Sequence, residues 1–210
     1  MEIYEVKGKD PSILKNEIKA HFGGREVFTW ESTLEDGSLQ VSGVPLHQLL
    51  EFLQEHATRI CTLIDPYSSV RISPPRGDQT EIKAIIKTTQ PSLFIGWHGK
   101  TLDAIEHILT VILSNTLRTP ISLSVDTAQY RKKREDFLRS LVKKVVSEIE
   151  LDHKERPIRN LLPRERRLIH MMFANHPYLT TESRGEGENR TLYIVPRPPI
   201  IDDSKRVEAG

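Results

Sequence analysis

Two short constellations in this sequence could do chemistry on a ligand. The first is Gly96-Trp97-His98-Gly99-Lys100. Two glycines three apart let a backbone turn tightly and come close to a ligand, because neither carries a Cβ. Ile95 precedes the turn, and a helical pattern with Leu102 and Ile105 follows at once. Such a helix points its unpaired N–H groups and positive dipole end back at the loop. The arrangement suits a sugar-phosphate backbone held by the loop, with Ile95, Leu102 and Ile105 flooring an apolar groove for bases. Two glycines three apart also arise by chance, and a ligand-free helix–helix turn is the competing reading. The second constellation is Arg166 and His170, four apart and therefore on one helical face, with Leu168, Ile169, Met172 and Phe173 around them. A guanidinium, an imidazole and an aromatic ring on one surface suit a phosphate and a stacked base. The competing reading pairs Arg166 with a carboxylate and leaves His170 capping or packing.

Other chemistries find no support. There is no G-x-x-x-x-G-K-[ST] loop, no paired-carboxylate motif and no nucleophile constellation, so no catalytic residue and no cofactor is expected. His170 has no second ligand at metal-binding spacing, and the single cysteine, Cys61, reads as a buried thiol.

The elements that must position these residues can be read in order. Glu2–Lys7 alternates like a strand. Asp10-Pro11 opens a helix carrying Ile13, Leu14, Ile18 and Phe22 inward, closed by Gly23-Gly24. Arg25–Glu31 and Ser38–Val44 form a hairpin across Glu35-Asp36-Gly37. This β-α-β-β unit is small for an independent core and is expected to pack on a neighbour or a partner. From Pro45 the order is α-β-β-α-α-β, with the glycine loop between its second and third helices and Ile121–Val125 as the last strand. That is the element order of a type II KH fold, whose G-x-x-G loop clamps about four nucleotides. The helix after the loop carries a stripe of Leu102, Ile105, Leu109 and Ile112, widened by Ile108 and Leu113. A long helix over 128–153 buries Tyr130, Phe137, Leu141, Val145 and Ile149 and exposes a basic cluster, Arg131-Lys132-Lys133-Arg134, with Lys143-Lys144 beyond. Ile158–Leu161 reads as a short strand and Pro163 starts the helix bearing Arg166 and His170. Strands at Tyr178–Ser183 and Thr191–Val195 follow, then a proline-rich end and a disordered tail. The fold class is α+β.

The chain has 210 residues and a net charge of +1, with 37% apolar and 28% charged residues, which is ordinary for a globular protein. The charge is divided unevenly: residues 1–65 carry 6 Lys+Arg against 11 Asp+Glu, and residues 66–210 carry 24 against 18. An acidic front and a basic remainder point to different jobs for the two parts. No apolar run approaches membrane-spanning length and no apolar stretch follows a basic start, so the expected location is the cytoplasm.

Four blocks in order, IGWHGKTLDAIEHIL, SVDTAQYRKKREDFL, LPRERRLIHMMF and TTESRGEGENRTLYIVP, closely resemble the Jag family of bacterial RNA-binding proteins, also called SpoIIIJ-associated protein or KhpB. The resemblance covers roughly residues 66–196. It implies a KH domain joined to an Arg-x-x-x-His (R-3-H) domain, with the family's glycines at Gly96 and Gly99 and its Arg and His at Arg166 and His170. The implied organisation is a Jag-N-like unit over 1–44, a KH domain over 45–127, the Arg-x-x-x-His domain over 128–196 and a tail over 197–210. The expected RNA-binding residues are Ile95, Gly96, Trp97, His98, Gly99, Lys100, Leu102, Arg131, Lys132, Arg166 and His170.

The implied function is post-transcriptional regulation linked to the cell envelope, elongation or cell shape. The implied partners are single-stranded RNA or DNA, a small KH protein and a YidC-type insertase. Two departures stand out. Trp97-His98 occupies positions that are usually basic in the family, and residues 1–44 lack the family's KKGFLG-like motif. A second function therefore stands beside the first: a protein-interaction adaptor anchored by an exposed Trp97.

Overall fold

The computed structural model describes residues 1–75 and 81–197. Most of the Pro-Pro-Arg-Gly-Asp loop, and the expected tail from residue 198, lie outside the described residues. The protein is α+β and forms two compact units, Met1–Tyr130 and Arg131–Gly210.

The first unit begins with β1 (Tyr4–Gly8), α1 (Pro11–His21), β2 (Val27–Thr33) and β3 (Leu39–Pro45). Asp10 caps α1, its carboxylate accepting from the amides of Ser12 at 2.8 Å and Ile13 at 3.4 Å, with Pro11 at the first helical position. Gly23 and Gly24, both at positive φ, return their amides to Ala20 and Lys19 and stop the helix. The three strands form an antiparallel sheet in the order β1-β3-β2. Leu14 and Ile18 bury against Val6 and Val41. Gly43 permits that approach: a Cβ there would stand 2.5 Å from Ile18 Cγ2. Ile13, expected inward, is 64% exposed, because the i,i+4 pair Leu14/Ile18 sets the buried face and Ile13 lies about 100° off it. The small unit does lean on a neighbour, since Val44 belongs to the next core and Ile3, Phe28 and Trp30 pack against it.

That next core is built by α2 (Leu46–Ile64), β4 (Ser69–Ser73), β5 (Ile82–Lys87), α3 (Pro91–Ile95), α4 (Lys100–Leu117) and β6 (Leu123–Thr127), in the order α-β-β-α-α-β. Strand β5 is central, antiparallel to β4 and parallel to β6, with Ile86 opposite Val70 and Ala84 opposite Val125. A parallel pair needs a crossover, and α3 with α4 supplies it. Along β5, Ile82, Ala84 and Ile86 are buried while Lys83 and Lys87 face out. Asp65 joins the end of α2 to the end of β5, accepting from the Tyr67 amide at 3.0 Å and the Thr88 hydroxyl at 2.6 Å. The α4 stripe departs from expectation at its second half. Burial runs Leu102, Ile105, Leu109, Leu113, Leu117, leaving Ile112 half-buried and Ile108 exposed.

Helix α5 (Tyr130–Asp152) enters the second unit at Arg131, followed by β7 (Arg156–Ile158), α6 (Pro163–Met172), β8 (Leu179–Arg184) and β9 (Thr191–Pro196). The sheet order is β7-β9-β8, all antiparallel. Ala128 and Gln129 have positive φ, so α5 starts two residues later than expected. Its buried stripe is Leu138, Val142, Val145 and Ile149. Spacings of four, three and four follow the helical period and turn Phe137 out to solvent, against the expected stripe through Phe137 and Leu141. The strand expected at Ile158–Leu161 is instead Arg156–Ile158. Among the described residues, no helix is long and apolar enough to cross a membrane.

Candidate nucleic-acid interface

The glycine loop is shaped by backbone rather than side chains. Helix α3 ends as the Gly96 amide donates to the Ser92 carbonyl at 2.9 Å. Gly96 then adopts φ +65°, ψ −165°, a conformation essentially reserved for glycine. A Cβ at Gly96 would run into Thr101 Oγ1 and stand 2.8 Å from Thr101 Cβ. A tight turn over Trp97–Gly99 follows, with His98 at φ +52° and Gly99 at φ +89°, and α4 begins at Lys100. The N-cap of α4 is Gly99 itself, in the left-handed region, with no side chain of its own to cap the helix. Asp103 lies in its first turn, a negative charge that the sequence reading did not weigh.

The expected contact residues separate into groups here. Trp97 is 68% exposed, its ring edge-on to His98 at 4.6 Å between centroids. Ile95 and His98 are half-buried, Lys100 is exposed, and Gly99 is buried. Leu102 and Ile105 are closed into the core beneath, so they support the loop from below and offer no surface to a base. That corrects the apolar floor expected of them: the α4 face that follows the loop is consumed by packing on the sheet.

In the second unit, α6 carries Arg166 and His170 one turn apart. Arg166 is half-buried and donates through Nη1 to the Leu161 carbonyl at 2.7 Å, so its hydrogen bond goes to backbone and not to the carboxylate of the competing reading. His170 is exposed, with Nδ1 2.5 Å from the hydroxyl of Thr181, a buried residue of β8. That contact fixes one ring nitrogen and leaves Nε2 as the other edge. Each functional side chain is thus oriented by one neighbour.

The start of α6 is fixed by a group that sequence reasoning missed. Glu165, whose side chain is 4% exposed, receives Arg134 Nε at 2.8 Å and Nη2 at 3.3 Å, and accepts the Leu162 amide at 2.9 Å. Arg134, read as part of an exposed basic cluster, is therefore a structural partner that ties α5 to α6. An acid three residues into a Pro-initiated helix was the available signal. Nothing in the sequence separated Arg134 from its neighbours. Of that cluster, Arg131 is half-buried, and Lys132 and Lys133 are exposed. Further along the sheet, Arg184 lies over the Tyr193 ring and holds Glu155 and Glu182, which lowers the Glu155 carboxyl below its ordinary range through the Arg184 hydrogen bond.

A guanidinium and an imidazole thus stand on one helix of a unit built on a three-stranded sheet, and residues 136–196 match the R-3-H (Arg-x-x-x-His) domain family. Over longer stretches the chain is similar to proteins named RNA-binding protein KhpB. That of Clostridium symbiosum is 27% identical over 116 residues, 55% of this chain and 52% of that protein. That of Bacillus subtilis is 34% identical over 106 residues, 49% and 50% of the two chains. That of Streptococcus pneumoniae is 22% identical over 189 residues, 87% of this chain and 56% of its relative. The matches span about half the length of these relatives. The Jag-family resemblance read from the four sequence blocks stands on these findings.

Proposed function

We propose that this protein binds single-stranded RNA through two surfaces, the Gly96–Lys100 loop of a type II KH domain and the Arg166/His170 face of the Arg-x-x-x-His domain. The observation that carries the reading is the pair on α6: Arg166 and His170 share a face, and each is held in place by one bond, to Leu161 and Thr181. Preorganised side chains lose less entropy on binding than free ones. Relatives named RNA-binding proteins support the ligand class. In this reading the domains run over 45–127 and 128–196, Lys100, Arg131 and Lys132 add charge, and single-stranded DNA is a weaker alternative ligand. The cellular role is cytoplasmic post-transcriptional control linked to envelope growth, with a small KH protein and a YidC-type insertase as partners.

The exposure of Trp97 favours a second reading, a protein-interaction adaptor, because exposed tryptophans are frequent interface anchors. Titration of single-stranded RNA at several salt concentrations separates the two. Phosphate binding lowers log affinity by about 0.7 per contact for each unit of log salt. Arg166→Ala should flatten that slope by about one contact. Trp97→Ala should weaken binding at constant slope, as loss of a stack does, and Trp97→Arg should restore binding with a steeper slope. RNA affinity unaffected by all three substitutions would reject the RNA reading and leave the adaptor.

A further inference from the structure

The outward turn of Phe137 is unexplained by either surface above. Single exposed apolar residues are ordinary on protein surfaces. Phe137 differs in what surrounds it. It is 54% exposed on α5, and Lys133 and Lys144 stand four residues before and seven after it, on the same helical face and themselves exposed. Ser140 lies between them on that face. Neither lysine is held in an ion pair among the described residues; pairs along α5 include Arg134 with Glu165, Arg139 with Glu135, and Glu148 and Asp152 with Arg156. The ring is also steadied from one side. The Arg134 guanidinium sits 5.4 Å from its centroid and is itself anchored on buried Glu165.

We infer that this face of α5 is a further RNA subsite, in which a base stacks on the Phe137 ring and Lys133 and Lys144 hold the flanking phosphates. Eleven residues of helix separate the lysines by about 16 Å, with the ring between them. An aromatic ring between cations is the combination that binds single strands with little sequence preference. Arg134 lies over one face of the ring and steadies it, leaving the other face for the base, and the same residue holds the start of α6. The inference rests on the RNA-binding reading and extends it to residues that neither the glycine loop nor the Arg166/His170 pair includes.

The test uses the full chain and a fluorescein-labelled oligouridylate followed by anisotropy, with circular dichroism melting as the fold control. Phe137→Ala and Phe137→Leu should each weaken binding at least about fivefold, the low end of one base–aromatic stack, while Phe137→Tyr retains it. Lys133→Ala and Lys144→Ala should each lower the log–log salt slope by about 0.7. Ultraviolet crosslinking should place a nucleotide adduct on Phe137 itself. If the unsubstituted protein does not bind the probe, the RNA reading fails and takes this inference with it. If Arg166→Ala weakens binding and the Phe137 variants do not, the inference alone is overturned. Equal binding by the Leu and Tyr variants would also overturn it, since an apolar contact would then suffice. So would a Phe137→Ala variant that keeps RNA but loses phosphatidylglycerol vesicles, which would make the face a membrane contact.

Discussion

Gly96→Ala tests the geometry of the loop directly. At φ +65°, ψ −165° an L-residue is strained by about 1–3 kcal/mol. Added to this is the collision with Thr101, whose Cβ and amide nitrogen would lie 2.8 and 3.1 Å from the new methyl. Those atoms belong to the first turn of α4 and cannot swing away, so overpacking adds about 1–3 kcal/mol. The sum, about 2–6 kcal/mol, is a large part of the 5–15 kcal/mol typical of a domain. Gly23→Ala is the internal control: its φ is +66° but nothing lies within 4 Å of its Cβ position, so only about 1–2 kcal/mol is expected. Urea unfolding followed by tryptophan fluorescence is the assay, because both tryptophans, Trp30 and Trp97, lie in the first unit and report it alone. A Thr101→Ala companion keeps Cβ and the amide and removes only the hydroxyl that the new methyl would also meet, so it should recover just that part of the loss, with a coupling of at least about 0.5 kcal/mol. If Gly96→Ala costs no more than Gly23→Ala, the clash argument is wrong. The same geometry means that Gly96→Asp would disturb the fold as well as repel phosphate, so Trp97 is the cleaner probe of binding.

Glu165→Ala takes the buried carboxylate from Arg134 and strands the Leu162 amide, and should destabilise the second unit by about 3–5 kcal/mol, with Glu165→Gln milder; equal melting of Glu165→Ala and the parent would refute the tie between α5 and α6. Thr181→Val deletes the hydroxyl that orients His170 and should cost about 1 kcal/mol of RNA affinity, about fivefold, read by anisotropy at unchanged salt slope. Burial pushes the Cys61 thiol up to about 11, so reaction with Ellman's reagent at pH 8 should follow unfolding of the first unit, and rapid stoichiometric modification of the native chain would contradict the burial. Hydrogen bonds from Arg184 and Arg156 lower Glu155 and Asp152, whose contribution is present above their unfolded values near 4.5 and 3.8 and is lost as pH falls below them. Acid titration of the second unit's melting temperature should therefore turn down below about pH 4.5, less so in Arg184→Gln.

Patterns of local origin were legible in the sequence. Asp10-Pro11, Gly23-Gly24 and Asp36-Gly37 marked helix ends and a turn because capping and positive φ are decided by neighbours two to four residues away. Element order, both glycines of the loop and the shared face of Arg166 and His170 followed from the same short-range rules. Which side of a helix faces inward was less legible. Ile13, Ile108 and Phe137 are as apolar as their buried neighbours, and only the element opposite each helix selects among adjacent apolar positions.

The division between what the chain spells out and what folding adds is clearest around α6. Sequence alone determined that Arg166 and His170 lie together, since a helix fixes the relation of residues four apart. It could not determine that Thr181, eleven residues on, would meet His170, or that Arg134, thirty-one residues before Glu165, would turn from the basic cluster to a half-buried pairing with it. Those pairings depend on strands and helices docking across a common core, and that docking is governed by burial of apolar area which no local pattern encodes. The same docking closed Leu102 beneath the loop and turned Phe137 outward, so the composition of the candidate RNA surface was set by tertiary packing even where its two leading motifs were already written in the chain.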